Sequence, residues 1–273
     1  MQVIVNNFNK LVNTKHGPML VNQNDIFIGR SLITYGEISE AENSIYRQLC
    51  KNGDTVVEVG ANIGSHSLVI AKSIGEAGKL FCYEPQRLVF QTLNANLALN
   101  SITNTSTYQL AIGTKKNTIN IPELDNTTEN NFGGFSIKEM KDGVKTDVVR
   151  LDTHLNIKAL KLLKIDVEGM EIDVIKGAKK TIKKYQPIIY CENDRQEKSQ
   201  ELLELIYSLS YEIYWHLPTL FNPDNFNKIK KNIFKNLVSV NILCLPKDSK
   251  LKPENFTKVK NTKEHPMKKN LDK

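Results

Sequence analysis

The sequence has little of what marks membrane, secreted or metal-binding proteins. None of its apolar runs approaches the roughly eighteen residues that a membrane-spanning helix needs. Its first residues lack the basic and apolar regions of a signal peptide. The four cysteines are far apart, without the spacing of a metal site, which favours buried and reduced thiols. We therefore expect a cytoplasmic protein without membrane insertion.

Outside the C-terminal end, the excess of positive over negative charge is also small. The formal net charge is +7, but residues 247–273 contain nine lysines against four acidic residues, so the rest of the chain is close to balanced. A lysine-rich terminus is more often a solvated end than a binding arm. We predict that residues 247–273 form a basic, mobile tail, and no nucleic-acid partner is expected.

A glycine-containing turn is the clearest motif in the sequence. The β-branched, largely apolar run 55–59 predicts a buried strand of a parallel sheet. Gly60 and Gly64 permit a tight turn that brings the backbone close to a ligand. Residues 65–74 then have a helical pattern. A strand, a glycine turn and a helix N-terminus together leave free backbone donors, as in nucleotide-binding proteins.

The residues around this turn distinguish between classes of nucleotide ligand. A dinucleotide fingerprint has glycine at its first, third and sixth positions, but here the third is Asn62 and the sixth is Ser65. Glu58 precedes the turn, where its charge would oppose a pyrophosphate and suits a cationic ligand. Glu84 ends the next predicted strand, where an acid suits the two hydroxyls of a ribose. The pattern favours S-adenosylmethionine, which carries an ammonium, a sulfonium and no phosphate.

Strands and helices alternate through the centre of the chain, which is typical of a parallel sheet with helical crossovers. We predict an α/β fold with about seven mostly parallel strands and helices on both faces. Residues 1–36 are predicted to form a small N-terminal cap, with β pieces at 2–5 and 25–28. Residues 37–246 are predicted to form the main domain, and the tail follows.

Ligands of such sheets bind outside the carboxyl ends of the strands. The candidate cofactor-binding residues lie in the glycine turn and at these strand ends: Glu58, Gly60, Ala61, Asn62, Gly64, Ser65, His66, Glu84, Pro85, Ala111 and Asp166. Further acids and a histidine follow later strands, at Glu168, Glu192 and His216.

Five segments together resemble the FkbM-type methyltransferases: Glu-Val-Gly-Ala-Asn-Ile-Gly at 58–64, Tyr-Glu-Pro at 83–85, Arg-Leu-Asp at 150–152, Lys-Ile-Asp-Val-Glu-Gly-Met-Glu at 164–171 and Ile-Lys-Gly-Ala at 175–178. Their order and spacing are similar to the family from about Tyr35 to Glu192, and the likeness weakens beyond. The resemblance implies a class I (Rossmann-like) fold and S-adenosylmethionine-dependent O-methylation of a small molecule or glycan. It also implies that Glu84 lies at the ribose and that Asp166 and Glu168 lie at the active-site end of the fourth strand. Many members have Asp where this chain has Glu58.

An acceptor hydroxyl must lose its proton as it attacks a methyl group. The predicted catalytic residues are Asp166, Glu168 and His216, with Asp166 or His216 taking the proton. The alternative is a Mg²⁺ site formed by Asp166, Glu192 and Asn193, an oxygen-rich set similar to that of catechol O-methyltransferase. The metal-free route is preferred, because the family resemblance does not itself require a metal.

Three other functions stay open at this point. A nicotinamide-dependent oxidoreductase is disfavoured by Asn62 at the third position of the turn. A non-catalytic, methyltransferase-like binding protein is disfavoured by the acids at Asp166, Glu168 and Glu192. Nucleic-acid methylation is disfavoured by the charge distribution and by the lack of an Asn/Asp-Pro-Pro-aromatic motif. The sequence does not define the acceptor or the oligomeric state.

Overall fold

The computed structural model describes residues 3–4, 7–134, 143–235 and 237–267. Its strands are β1 (Val3–Ile4), β2 (Asn9–Thr14), β3 (Gly17–Asn22), β4 (Thr55–Val59), β5 (Lys79–Tyr83), β6 (Thr105–Tyr108), β7 (Ala111–Ile112), β8 (Asn117–Ile121), β9 (Val144–Val149), β10 (Leu162–Ile165), β11 (Ile188–Glu192), β12 (Tyr211–His216), β13 (Asn241–Pro246) and β14 (Thr257–Lys258). Its helices are α1 (Ile28–Tyr35), α2 (Glu40–Leu49), α3 (Ser65–Ile74), α4 (Arg87–Leu99), α5 (Leu151–His154), α6 (Glu171–Gly177), α7 (Lys179–Tyr185) and α8 (Gln196–Tyr207).

The main sheet has eight strands in the order β14-β12-β13-β11-β10-β4-β5-β6. The five strands from β11 to β6 are mutually parallel, whereas β13 runs antiparallel to both of its neighbours. A separate three-stranded sheet, β7-β9-β8, lies in the crossover before β10. The predicted α/β fold with a mostly parallel central sheet is therefore confirmed, with one more strand than expected.

The neighbouring parallel strands β4 and β10 are mostly apolar, because both of their faces are covered. Val56 and Leu162 pack in one core cluster with residues of α3 and α4, whereas Val57 and Leu163 pack in the other with residues of α6 and α8. All four side chains are fully buried, and burial of each stabilises the fold by about 1.5–3 kcal/mol. Helices therefore cover both faces of the sheet, as predicted. The four cysteines are buried free thiols, also as predicted.

The N-terminal cap differs from the prediction. Residues 25–28 do not form a strand; Asp25 makes an isolated bridge and α1 begins at Ile28. The carboxylate of Asp25 accepts hydrogen bonds from the backbone N–H groups of Phe27 and Ile28, which favours a helix start. Upstream, β2 and β3 form a hairpin that packs on α4. There, the buried amide of Asn96 hydrogen-bonds both backbone groups of Leu20.

Part of the predicted tail packs against the domain, so the prediction of a mobile tail is wrong for these residues. Strand β14 pairs with β12, Val259 is buried in the core, and His265 donates a hydrogen bond to the carbonyl oxygen of Asn193. The apolar side chains of Phe256 and Val259 pack against the core, whereas the lysines around them are exposed. Residues 268–273 lie outside the described part.

The helical stretch after β10 is interrupted at Ala178, which separates α6 from α7. The antiparallel strand β13 begins at Asn241. Among the described residues, no helix combines the length and apolar character needed to cross a membrane.

Candidate active site

A cavity of about 360 Å³ opens at the carboxyl ends of β4, β5, β10 and β11. This volume falls within the roughly 300–1,000 Å³ of small-molecule sites. The predicted residues that line it are Gly60, Ala61, Asn62, Ser65, His66, Glu84, Pro85, Ala111, Asp166, Glu168 and Glu192. The fold therefore gathers most of the predicted site residues around one space. Glu58, Gly64, Asn193 and His216 are absent from the lining.

The glycine turn after β4 has the geometry that its sequence predicts. Gly60 has a φ of 82°, and a Cβ built there would lie 1.7 Å from the carbonyl oxygen of Asp166, so a side chain has no room. Asn62 also has a left-handed backbone, with φ of 49°. Gly64 adopts a φ of 87° just before α3 and serves the turn itself. The turn is thus packed directly against the end of β10.

Glu84 is held at the end of β5 by the same turn. Its carboxylate accepts hydrogen bonds from the backbone N–H groups of Asn62, at 3.0 Å, and Gln86, at 2.9 Å. Burial raises the pKa of Glu84 to about 7. The turn and the predicted ribose-binding acid therefore form one unit, and further hydrogen bonds to Glu84 can come from the cavity.

Glu58 does not face the cavity, which corrects the prediction that it meets a cationic ligand. Its side chain is fully buried beneath the turn, where one carboxylate oxygen accepts a 2.5 Å hydrogen bond from Ser67. The other oxygen lies 3.3 Å from the ammonium of Lys164, the residue opposite in the β4–β10 register. Side chains of a strand alternate between faces, and position 58 points towards α3. Its charge is therefore balanced inside the protein.

Lys164 is the site residue that sequence reasoning missed most clearly. Its side chain is 2% exposed, and its ammonium lies 3.3 Å from Asp166 Oδ2 and 3.4 Å from the carbonyl oxygen of Gly60. Burial acts to lower the pKa of Lys164, but Asp166, Glu58 and Glu42 raise it above its usual value. The signal was present in the sequence, because a lone lysine in an apolar core strand requires a buried acid as its partner.

Three acids meet at the ends of β10 and β11. Asp166, Glu168 and Glu192 each offer a carboxylate oxygen, and the three oxygens lie within 4.8 Å of one another. Glu168 points into the cavity from a left-handed turn, with φ of 55°, and Glu171 accepts hydrogen bonds from the backbone of this turn. Arg195 donates a 2.8 Å hydrogen bond to Glu168. Burial and the neighbouring acids raise the pKa of Glu168 to about 8.

The predicted magnesium set is only partly brought together. Asn193 is absent from the cavity lining. Its side-chain amide donates a hydrogen bond to Ser199 at 3.0 Å, and its backbone carbonyl accepts one from His265. Glu168 takes its place beside Asp166 and Glu192. One oxygen of Glu192 is buried without a hydrogen-bond partner among the described residues. Three carboxylates, one of them with an unpaired oxygen, fit a hard divalent cation. Arg195 already neutralises part of the charge of this cluster.

The two histidines at the predicted site have different surroundings. His216 lies outside the cavity, with Nδ1 2.6 Å from the hydroxyl of Tyr190, and burial lowers the pKa of His216 to about 4. This geometry does not support its predicted role as a base, because β12 is separated from β11 by β13. His66 lines the cavity and contacts Asn43. Burial and Lys164 hold the pKa of His66 well below its usual range, so its ring is neutral.

The remaining walls were not predicted. Glu42, on an otherwise apolar face of α2, reaches the cavity, and burial raises its pKa to about 7. Asp194 and Arg195 follow β11. An apolar wall comes from the start of α1 and from the segment before β13: Phe27, Ile28, Leu220, Leu237 and Val238. These segments are distant in sequence, and no local pattern places them together.

The strand order, the glycine turn after β4 and the acid that ends β5 define a class I methyltransferase fold. Residues 58–213, more than half of the chain, match the methyltransferase FkbM domain family. The chain therefore belongs to the FkbM methyltransferase family, which confirms the resemblance noted in its motifs.

Two curated relatives are named as methyltransferases. Methyltransferase 1 of Beauveria bassiana is 26% identical over 143 residues, covering 45% of this chain and 57% of that protein. Methyltransferase sdnD of Sordaria araneosa is 26% identical over 154 residues, covering 45% and 59%. The chain thus spans less than two thirds of the length of either relative.

Among solved structures, precorrin 8w decarboxylase of Methanobacterium thermoautotrophicum aligns with a TM-score of 0.50 at 11% identity. The alignment covers 83% of this chain and 99% of that one. At this identity the likeness concerns the fold alone.

Proposed function

We propose that this protein transfers a methyl group from S-adenosylmethionine to a hydroxyl of a small molecule or glycan. The observation that carries the proposal is the position of Asp166. Its side chain is 37% exposed and lines the cavity, and its carbonyl oxygen packs against Gly60 of the cofactor turn. An acceptor held by this carboxylate is therefore adjacent to the place where the cofactor is expected.

The residues present fit S-adenosylmethionine. Glu84 keeps acceptor capacity towards the cavity for two ribose hydroxyls, since each of its oxygens accepts only one hydrogen bond from the described residues. A pyrophosphate is disfavoured, because Asn62 and Ser65 occupy the third and sixth positions at which a dinucleotide-binding turn has glycine. When bound, this cofactor supplies an electrophilic methyl group on a sulfonium.

In this proposal the protein aligns the acceptor, excludes water and accepts a proton. Asp166 is the base, and Lys164 fixes its carboxylate from below at 3.3 Å. Glu168 and Glu192 orient the acceptor by accepting or donating hydrogen bonds. The apolar wall around Phe27 and Leu220 keeps bulk water from the reacting groups.

The charge of the cavity supports an acceptor without anionic groups. Six carboxylates line it: Glu42, Glu84, Asp166, Glu168, Glu192 and Asp194. The two lining cations, Lys164 and Arg195, both have carboxylate partners. A phosphate in this cavity would find no cation without a carboxylate partner among the lining residues, which supports sugar or alcohol hydroxyls over nucleic acid.

The experiment is incubation of the protein and labelled S-adenosylmethionine with fractionated glycans and small hydroxylated compounds. We expect label in an uncharged, hydroxyl-bearing fraction and loss of turnover in Asp166→Asn. Label only on amines, or full activity of Asp166→Asn, would contradict the proposal. Unchanged affinity of the variant for S-adenosylhomocysteine would show that its site is intact.

A metal-dependent route is tested in the same assay. Because Lys164 and Arg195 already balance two of the clustered acids, we expect turnover to survive exhaustive chelation. Loss of turnover on chelation, restored by Mg²⁺ and abolished by Glu168→Gln, would instead assign the cluster to a cation.

A further inference from the structure

A short segment before β13 combines basic and apolar side chains at the mouth of the cavity. This rim segment comprises residues 226–235 and 237. Four of its residues are lysines, all exposed: Lys228, Lys230, Lys231 and Lys235. Exposed apolar side chains lie among and beside them in the sequence: Phe226 at 47%, Ile229 at 39% and Leu237 at 41%. No acidic residue occurs between Asp224 and Asp248.

The rim segment is fixed in place beside the cavity. The hydroxyl of Tyr35 donates to the carbonyl of Lys231 at 2.9 Å and accepts from the N–H of Ile233 at 2.8 Å. Phe234 stacks on Phe27, at 6.3 Å between ring centroids, and Phe27 lines the cavity. Leu237 lines it as well. The charges and apolar groups of the segment therefore surround the entrance and do not hang from a loose loop.

The four lysines have no partner of opposite charge within the described chain. Elsewhere on the described surface, some exposed cations such as Arg30, Lys176 and Lys258 have acidic partners. The exposed lysines of α7 also lack such a partner, but no large exposed apolar side chain of the described residues lies near them in the sequence. Of the seven large apolar side chains that are exposed among these residues, three lie in the rim segment. Unpaired positive charge next to exposed apolar surface marks an interaction site better than either feature alone.

We propose that the rim segment binds a membrane surface that carries anionic lipid headgroups, with the cavity mouth turned towards that surface. Lysines near such a surface contribute about 1 kcal/mol each, and exposed Phe, Ile and Leu side chains can enter the boundary between headgroups and acyl chains. Nucleic acid offers no apolar layer for exposed side chains such as Ile229, whereas the acyl chains of a membrane do. The proposal concerns binding only and does not depend on the acceptor.

The test is co-sedimentation of the full chain with vesicles of pure phosphatidylcholine or of phosphatidylcholine containing phosphatidylglycerol. We expect binding to the anionic vesicles only. Replacement of the four rim lysines by Gln should weaken it by roughly 10²–10³-fold, from the same contribution per lysine. The matched control replaces four exposed lysines of α7 by Gln: Lys179, Lys180, Lys183 and Lys184. These have no exposed large apolar neighbours, so the control should bind like the wild type.

A second variant pair tests the apolar part. Ile229→Ser and Leu237→Ser should each weaken vesicle binding several-fold without changing the melting temperature, because both side chains are exposed. Equal weakening by the α7 control, or no binding to anionic vesicles, would overturn the proposal. So would full competition by a single-stranded polynucleotide combined with unchanged binding of Ile229→Ser, since that result would mean a general polyanion site.

Discussion

Lys164→Met is expected to destabilise the fold much more than Glu58→Gln. The two residues form an ion pair in the middle of the central sheet, with 2% and 0% of their side-chain surfaces exposed. Lys164 has two further oxygen neighbours, Asp166 at 3.3 Å and the carbonyl of Gly60 at 3.4 Å. Glu58 has no second cation, and its remaining partners are Ser67 and Cys82. Loss of Lys164 therefore leaves a buried carboxylate without a counter-charge.

The magnitudes follow from this asymmetry. Removing one partner of a buried pair costs about 3–5 kcal/mol when the other charge is left uncompensated, which is the case for Lys164→Met. Glu58→Gln leaves the ammonium with Asp166 and keeps a hydrogen-bonding amide, so a loss of about 1–3 kcal/mol is expected. The double variant contains neither charge. It should be more stable than Lys164→Met, because apolar replacement of a whole buried pair is often close to neutral.

Urea unfolding of the four proteins measures the cycle, with the midpoint as the readout and a constant slope as the control for two-state behaviour. The reasoning would be refuted if the stability losses of the two single variants summed to the loss of the double variant within about 0.5 kcal/mol. Such additivity is the behaviour of independent sites. Lys176→Met is a matched control. It removes a lysine from an exposed pair with Glu201 and should change the free energy of unfolding little.

Three further results are expected. Glu84→Ala should weaken S-adenosylhomocysteine binding by about 1.5–3 kcal/mol in calorimetry; an unchanged affinity would contradict the ribose assignment. The pKa values of Glu42 and Glu84 rise to about 7 from 4.5, so the folded state holds their protons more tightly. The contribution of these groups to the stability of the unliganded protein should therefore be greatest below pH 4.5. The free energy of unfolding should fall by on the order of 1–3 kcal/mol per group as the pH rises through 7. Urea midpoints of Glu42→Gln should show a flatter pH dependence, and an unchanged profile would contradict the shift. Truncation after Lys252 removes β14 and the buried Val259 and should lower the free energy of unfolding by at least about 2 kcal/mol. An unchanged melting temperature would instead support the original prediction of a mobile tail.

Local patterns were sufficient for the main sheet and the glycine turn. The run 55–59 and the glycines after it define β4 and its turn, because burial on both faces and a positive φ each restrict residue choice locally. Apart from Gly64, the predicted cofactor-binding residues from Ala61 to Glu84 were found to line one cavity for the same reason. They lie within two consecutive strand–turn–helix units.

The acceptor side depends on contacts between distant segments, and the sequence did not show it. Phe27 and Leu220 meet at the cavity although they are far apart in the chain. Asn193 directly follows the end of β11 like a ligand residue, but its side chain packs against Ser199 under α8. His216 was judged from its place after a strand, and the insertion of β13 between β11 and β12 moves it away. Strand order is a tertiary property, and alternation along the chain does not define it.

The buried pair also explains how the strand register and the cofactor turn are coupled. In the observed register Glu58 is opposite Lys164, and Val57 and Val59 are opposite Leu163 and Ile165. A slip of β10 by one residue would place each charge against an apolar partner and point Lys164 to the other face of the sheet. Both charges would then be buried and unpaired, at a cost of several kcal/mol each. Since the ammonium of Lys164 also contacts the carbonyl of Gly60 and the carboxylate of Asp166, the interaction that favours this register also places the turn and the proposed base next to each other.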